Sequence, residues 1–259
     1  MYNLKTGYMP ANTQRVFEFF AGEPLLKDFT LIGGTALSLQ IAHRLSVDLD
    51  FWQPSETLNK FNLSKTLKNA ADNGLSVKLL MPESKLISAK INGIDLMLYA
   101  QDYLIDDVKV TFFARNDSLF SYFDSFERLK TNGVAFSIMS EEGLFAMKSQ
   151  LIHQRRRSRD LFDLYTWVNR GRSISDLLEQ SQRPDPFASI EVAKAVLRGI
   201  IAIDKDDEGL KPVGEAIELA EIYAFFKEKI SELEIEIAAK IKKEIAQNND
   251  CSDDDRPSL

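Results

Sequence analysis

Two aspartates separated by one residue are the feature of this sequence with the clearest chemical potential. Asp48 and Asp50 lie in the segment LSVDLDFW, whose remaining residues have the composition of a strand. Side chains alternate along a strand, so both carboxylates would lie on one face and Leu49 and Phe51 on the other. Two anions this close repel each other unless they face water or share a cation, and Mg²⁺ accepts one or two carboxylates together with phosphate oxygens. The pair predicts a Mg²⁺ site, with a solvated strand end as the alternative.

A glycine pair precedes the aspartates and has the character of a phosphate site. Gly33 and Gly34 follow the apolar run FTLI, and Thr35 begins a segment with helical composition. Glycines allow a sharp turn and a close approach to a ligand, while the first turn of a helix offers free N–H groups to a phosphate. Arg44 and Ser46 stand just before the aspartates. The unit is predicted to hold a phosphate chain at one end and its metal ion at the other, although a glycine pair can also be a simple turn.

A third carboxylate is predicted from the segment KINGIDLMLY. The Asn92-Gly93 pair is typical of a hairpin turn, so strands are expected over 86–91 and 94–99. Asp95 would then be a charged residue in an apolar strand. Next to the first pair it could bind a second metal ion or accept a proton from an attacking hydroxyl group. An edge-strand carboxylate that faces water is the alternative.

A basic segment follows in the second half of the chain, MKSQLIHQRRRSRDLFDLY. Between Lys148 and Arg159 there are five cations and no anions. In a continuous helix Lys148, Arg155 and Arg159 would share one face, which suits a polyphosphate or an RNA backbone. A solvated basic surface is the alternative, and Asp160 and Asp163 could cap the next helix or pair with nearby arginines. The candidate RNA contacts are Arg155, Arg156, Arg157 and Arg159.

The composition argues against a disulfide-rich, a zinc-binding or a membrane-spanning protein. The 259 residues are 44% hydrophobic and carry a net charge of −7, so any contact with nucleic acid must use a local patch. The single cysteine and two histidines exclude a disulfide framework within the chain and argue against a structural zinc site. No apolar run approaches the roughly 18 residues of a membrane span, and no signal peptide is recognised. A cytoplasmic protein without membrane contact is expected.

The elements divide the chain into two structural parts and a tail. Residues 1–140 mix short strands with helices, 141–247 are helical throughout, and the acidic tail 248–259 is expected to be disordered. Further strands are predicted at 29–32, 45–52, 75–80, 108–114 and 134–139. The long segment 213–247 places Ile230, Leu233, Ile237, Ile241 and Ile245 on one side of a helix. The fold class is therefore α+β, with a mixed sheet flanked by helices followed by a helical bundle.

These motifs together resemble the nucleotidyltransferase toxins of the AbiEii/AbiGii type, from abortive-infection and type IV toxin–antitoxin systems. That family has a Gly-Gly-Thr/Ser-Ala-Leu opening followed by Arg-x-Ser-x-Asp-x-Asp-Phe, and later a helical Lys followed by Arg…Arg-Asp-x-x-Asp-Leu. The resemblance covers roughly residues 10–170. The matching residues are Gly33, Gly34, Thr35, Ala36, Leu37, Arg44, Ser46, Asp48, Asp50 and Phe51 in the first motif, and Lys148, Arg155, Arg159, Asp160, Asp163 and Leu164 in the second.

The resemblance implies a polymerase-β-like domain with its active site in the cleft beside the helical domain. It implies that an NTP and Mg²⁺ bind there and that a nucleoside monophosphate passes to an acceptor hydroxyl group, with the 3′ end of a tRNA as the expected acceptor. A cognate antitoxin is an expected partner. A small molecule or protein acceptor, or a nucleotide-binding regulator without turnover, are the alternatives. The implied site comprises Asp48, Asp50 and Asp95 as metal ligands, Lys148 as a catalytic residue, and Gly33, Gly34, Thr35, Arg44, Ser46, Lys148 and Asp160 around the nucleotide.

Overall fold

The structure is a computed structural model that describes residues 4–183, 187–204, 207, 209–210, 212–214 and 216–252. Its strands are β1 (Thr30–Ile32), β2 (Leu49–Gln53), β3 (Val77–Leu79), β4 (Ala100–Ile105), β5 (Val108–Ala114), β6 (Arg128–Leu129) and β7 (Ser137–Met139). Its α-helices are α1 (Ala11–Ala21), α2 (Gly33–Ile41), α3 (Lys60–Asp72), α4 (Glu83–Ile91), α5 (Ser118–Asp124), α6 (Glu141–Leu151), α7 (Ser158–Asn169), α8 (Ile174–Gln182), α9 (Ile190–Leu197) and α10 (Leu219–Ser252).

The strands form one mixed sheet with the order β3-β4-β5-β2-β1-β7-β6. β2 lies at the centre, antiparallel to β1 and parallel to β5. An aromatic core covers one face of this centre, where the rings of Phe51 and Phe112 stack with centroids 5.2 Å apart and the ring of Phe20 from α1 meets both edge-on. Asp48 and Asp50 lie on the opposite face, as the alternation in the sequence predicts, and Trp52 follows them there with its ring buried against Phe120.

The helical part packs beside this sheet. Ser140 accepts a hydrogen bond from the Gly143 N–H and so caps α6, directly after β7 ends. α6 packs against α2, α7 and α8, and α10 packs against α7, α8 and α9. The mixed sheet with a following set of helices confirms the predicted fold class, while the domain boundary at 140 stays a prediction.

Residues 83–98 do not form the predicted hairpin. They form α4 and a short 3₁₀ helix at Leu96–Leu98. Asn92 caps the C-terminus of α4, and Gly93 follows with a φ of +75°. An Asn-Gly pair can end a helix as well as turn a hairpin, because both uses need a residue that tolerates positive φ. The local pattern therefore did not distinguish them.

The C-terminal end of the described chain also differs from prediction. α10 continues to Ser252, so residues 248–252 of the predicted disordered tail are helical, and residues 253–259 lie outside the described residues. In the part of the chain that the structure describes, no helix combines the length and the apolar character needed to cross a bilayer.

Candidate active site

Asp48 and Asp50 lie together on the polar face of the central strand. Asp50 is the second residue of β2 and pairs with Ile32, the last residue of β1. Asp48 precedes it by one alternation, while Leu49 and Phe51 are fully buried on the other face. Both carboxylates line a cleft of about 890 Å³. Burial, and then the Asp48 carboxylate, raise the pKa of Asp50.

The glycine pair forms one wall of the same cleft. Gly33 has a φ of +76°, and a Cβ atom there would lie 2.5 Å from Oδ2 of Asp50. A Cβ atom on Gly34 would collide with the guanidinium group of Arg44. Because α2 begins at Gly33, backbone N–H groups without partners inside the helix lie at this wall of the cleft. Neither position has room for a side chain.

Thr35 and Ser46 hold the backbone around the aspartates instead of lining the cleft with free hydroxyl groups. The Thr35 hydroxyl lies 2.8 Å from the Ser46 hydroxyl and also donates to the carbonyl oxygen of Asp48. Thr35 is buried and does not line the cleft, whereas Ser46 borders it. The structure thus gives Thr35 an internal bond where the resemblance implied contact with phosphate.

A buried ionic network supports the cleft from behind. The ammonium group of Lys148, on α6, lies 2.6 Å from Asp160 Oδ1 and 2.8 Å from Asp163 Oδ2, both on α7. Asp163 also receives two bonds from Arg44, at 2.6 and 3.1 Å, and contacts Nε2 of His43 at 2.6 Å. Each of these five side chains is nearly inaccessible to solvent. Arg44, implied as a nucleotide contact, is thus bound to Asp163 while it borders the cleft.

The charges of this network fix its protonation. Burial alone would raise the pKa of Asp163, but Arg44 and Lys148 hold that pKa well below the ordinary value. Lys148 and Arg155 have the same effect on the pKa of Asp160. Burial lowers the pKa of His43 despite its contact with Asp163. Lys148 therefore stands beside two ionised carboxylates.

The arginines of the basic segment do not all face the cleft. The predicted continuous helix is interrupted, because α6 ends at Leu151 and α7 begins at Ser158. Arg155 still binds Asp160 at 2.8 Å, and Arg159 lies 3.5 Å from Oδ2 of Asp48. Arg157 also lines the cleft. Arg156 instead pairs with Asp204 at 3.2 Å, away from the aspartates.

Asp95 does not join the other carboxylates. It caps the 3₁₀ helix at Leu96–Leu98 through the Met97 N–H group and forms an ion pair with Lys60. It does not line the cleft, so its prediction as a third metal ligand on a neighbouring strand is wrong. Among the described residues, no group of three or more His, Cys, Asp or Glu side chains is arranged to hold a metal ion by itself.

Lys109, Asp163 and His43 are parts of this site that sequence reasoning missed or left undecided. β5 pairs in parallel with β2, and Val110 lies opposite Leu49. Lys109 and Asp48 each precede this pair by one residue, and both line the cleft. A lone lysine in the apolar strand VKVTFFA was the available signal. Asp163 was left as a possible helix cap or arginine partner, and its spacing of three from Asp160 was the signal for a shared helix face. For His43, no local signal was present.

Charge distinguishes this cleft from the rest of the molecule. Its lining contains six cations and two carboxylates, although the whole chain is acidic. The cations are Arg44, Lys109, Lys148, Arg155, Arg157 and Arg159. A polyanion is therefore the ligand class that the cleft suits best.

Comparison with known proteins finds chains of similar structure and sequence. A solved Helicobacter pylori structure, JHP933, is 17% identical with a TM-score of 0.47 and covers 92% of this chain and 97% of its own. MenT4, a nucleotidyltransferase toxin from Mycobacterium tuberculosis, is 12% identical with a TM-score of 0.46, covering 84% and 86%. An uncharacterised Aquifex aeolicus protein is 25% identical over 80% of this chain and 89% of its own.

A family model shows the family of this chain, because it matches most of the sequence. The model of the nucleotidyl transferase AbiEii toxin of type IV toxin–antitoxin systems matches residues 16–188. This range contains both aspartates, the glycine pair and the Lys148 network. The chain belongs to the AbiEii nucleotidyltransferase toxin family, and it is a nucleotidyltransferase.

Proposed function

We propose that the protein transfers a nucleoside monophosphate from an NTP to a hydroxyl group of an RNA, in a Mg²⁺-dependent reaction, as the toxin of a toxin–antitoxin system. The observation that carries the proposal is the carboxylate pair at the base of a cleft whose other walls are a helix N-terminus and six cations. The acceptor oxygen would form a bond to the α-phosphorus. The bond from that phosphorus to the bridging oxygen would break, releasing pyrophosphate and the hydroxyl proton.

The phosphate chain would lie between the glycine pair and Lys148. The N–H groups at the start of α2 can donate to phosphate oxygens, and a Cβ atom at Gly33 or Gly34 would displace Asp50 or Arg44 beside them. Lys148, held by Asp160 and Asp163 at the cleft, would neutralise charge on the leaving pyrophosphate. Arg157 and Arg159 line the same cleft and add positive potential.

Asp48 and Asp50 fit Mg²⁺. Their side chains share one face of the sheet, and burial together with mutual repulsion disfavours two bare anions there. Two carboxylates do not complete a magnesium site, but Mg²⁺ is commonly bound by one or two carboxylates together with substrate phosphates. Bound there, it would supply charge neutralisation at the reacting phosphate.

The acceptor and the partner are the finer parts of the proposal. Family membership supports a toxin that modifies a cellular target and has a cognate antitoxin. Arg155, Arg157, Arg159 and Lys109 line the cleft and could contact an RNA backbone, and the 3′ end of a tRNA is the acceptor that we propose. Arg156 is the weakest candidate RNA contact, because it pairs with Asp204.

A labelling experiment tests the proposal. Purified protein is incubated with total RNA, Mg²⁺ and each α-³²P-labelled NTP in turn, with and without EDTA. We expect label on RNA with at least one NTP, lost with EDTA and in the variants Asp48→Ala and Asp50→Ala, because both carboxylates are needed for the metal ion.

Asp95→Ala is the matched control, since this carboxylate pairs with Lys60 outside the cleft. It should label RNA as the wild type does. Label on a protein or small molecule in place of RNA would contradict the RNA acceptor, and labelling that survives loss of both aspartates would contradict the metal site.

A further inference from the structure

A second cavity opens on the other side of Asp50. It has a volume of about 790 Å³ and lies between the end of β5, helix α5 and helix α6. It shares Gly33, Asp50, Lys148 and Arg155 with the charged cleft, so the two spaces meet at the proposed reaction centre. Most of its wall is apolar, formed by Phe113, Leu119, Phe120, Phe123, Met147 and Leu151 among others.

The two cavities have opposite chemistry. The charged cleft has Leu45 and Val47 as the apolar side chains of its lining, and no aromatic ring. The second cavity has three phenylalanine rings, and its polar groups besides the shared Asp50, Lys148 and Arg155 are Arg115, Gln150 and Gln154. An aromatic wall with a few polar side chains is typical of a site for a flat organic group.

The aromatic wall is already packed against neighbouring side chains without a ligand. The Phe120 ring meets Trp52, Phe113 and Phe123 edge-on, with centroids between 5.3 and 5.7 Å apart. The guanidinium carbon of Arg115 lies 4.6 Å from the centroid of the same ring. A ring held by so many neighbours loses little conformational entropy when a planar ligand packs against it.

We propose that this apolar cavity binds the nucleobase of the NTP substrate. The inference rests on the proposed function, which places the α-phosphate at Asp48 and Asp50 and the outer phosphates among the cations. The nucleoside leaves the α-phosphate through its 5′ oxygen and needs a space that adjoins the carboxylates but suits a flat, weakly polar group. The cavity that adjoins Asp50 meets both conditions, and the exposed Gln154 in its wall can contact the polar edge of a base.

Binding measurements with two ligands test this inference. Calorimetry with Mg²⁺ compares each NTP with inorganic tripolyphosphate, which has the phosphates but no base. For the wild type, we expect at least one NTP to bind about tenfold more tightly than tripolyphosphate, as expected when one base is stacked on aromatic side chains.

Leu151→Trp is the variant that separates the two cavities. Leu151 is partly exposed at the end of α6 and lines only the apolar cavity of the two, so a larger ring there should fill the base site. NTP affinity should fall to that of tripolyphosphate, while tripolyphosphate affinity stays unchanged and reports an intact fold. Ile87→Trp, on the exposed side of α4 and outside both cavities, should leave both affinities unchanged.

The remaining outcomes are distinguishable. RNA labelling with equal affinity for NTP and tripolyphosphate would overturn the base site but leave the proposed function intact. Unchanged NTP affinity in Leu151→Trp, with a raised KM for RNA, would assign the cavity to the acceptor and overturn the inference. If neither ligand binds the wild type and no label is transferred, the proposed function fails and the inference fails with it.

A smaller change decides the matter if Leu151→Trp loses both ligands. Gln154→Ala alters an exposed residue of the cavity wall and should not disturb the fold. Weaker NTP binding at unchanged tripolyphosphate affinity supports the base site, and unchanged binding of every NTP overturns it.

Discussion

At the scale of single residues, Asp163 lies outside the cleft lining but binds side chains that border the cleft. Asp163 is fully buried and joins Lys148, Arg44 and His43, which come from segments far apart in the chain. A buried ion pair is costly to break, because the partner left behind keeps its charge without water. The network therefore holds α6 and α7 against the segment that leads into the aspartates.

Replacement of Asp163 by asparagine should reveal this role. Asp163→Asn keeps the shape but leaves the buried Arg44 without its carboxylate and Lys148 with Asp160 alone, so we expect a loss of about 3–5 kcal/mol in the free energy of unfolding at neutral pH. Because the folded-state pKa of Asp163 is lowered, its contribution is complete above the ordinary aspartate pKa of about 3.9 and disappears as the pH falls through the native value. The difference between wild type and variant should shrink in acid.

Denaturant unfolding between neutral pH and about pH 3 measures both effects. Asp176→Asn is the control, since Asp176 on α8 forms a partly exposed pair with Arg172, which lies in the turn between α7 and α8. We expect that variant to lose less than about 1 kcal/mol. A similar small loss in Asp163→Asn would show that the buried network is not needed for stability.

At the scale of elements, the two halves of α10 differ in how far their apolar side chains are buried. Ile222, Phe226 and Ile230 are fully buried in the first half of the helix. The predicted apolar face then continues past the bundle, where Ile237 and Ile241 are about half exposed. Helical periodicity predicted the stripe correctly, but periodicity does not indicate where the neighbouring helices end.

Two substitutions on α10 should therefore differ sharply. Phe226→Ala removes a fully buried ring and should lower the free energy of unfolding by about 3–5 kcal/mol. Ile241→Ser changes an exposed side chain on the same helix and should alter it by no more than about 0.5 kcal/mol. Thermal and urea unfolding of both variants measures the difference. Equal losses would mean that the second half of α10 is covered in solution.

At the scale of the whole molecule, the cleft is positively charged although the chain has a negative net charge. The chain carries −7, yet six cations line the cleft. Salt screens charges beyond about 10 Å at 0.1 M ionic strength, so a polyphosphate in the cleft is affected mainly by the nearby lysines and arginines. The acidic surface elsewhere does not prevent binding of an anion.

The salt dependence of tripolyphosphate binding tests this balance. We expect the affinity to fall steadily as salt rises from about 0.05 to about 0.5 M, because screening weakens the attraction. The double variant Arg157→Gln/Arg159→Gln should bind more weakly and with a flatter salt dependence. Arg15→Gln, which alters a surface pair with Asp106, should behave as the wild type does. An unchanged slope in the double variant would place the anion elsewhere.

Short-range pattern was sufficient for the centre of the site. Strand alternation placed Asp48 and Asp50 on one face, and the glycine pair predicted a tight turn into a helix, because both features depend only on neighbouring residues. The mixed sheet and the following helices were also predictable from periodicity. The prediction of a hairpin at Asn92-Gly93 was wrong, because an Asn-Gly pair can also end a helix. Asp95 was assigned to the site because of that predicted hairpin.

Contacts between distant segments decided the rest. Asp163 meets Arg44 across 119 residues, and Lys109 reaches Asp48 because β5 pairs in parallel with β2. The apolar cavity exists only where β5, α5 and α6 come together. Residue type could identify a lysine or an aspartate with chemical potential. Only the folded arrangement of strands and helices could give each one its partners, because burial and ion pairing depend on residues that lie far away in the chain.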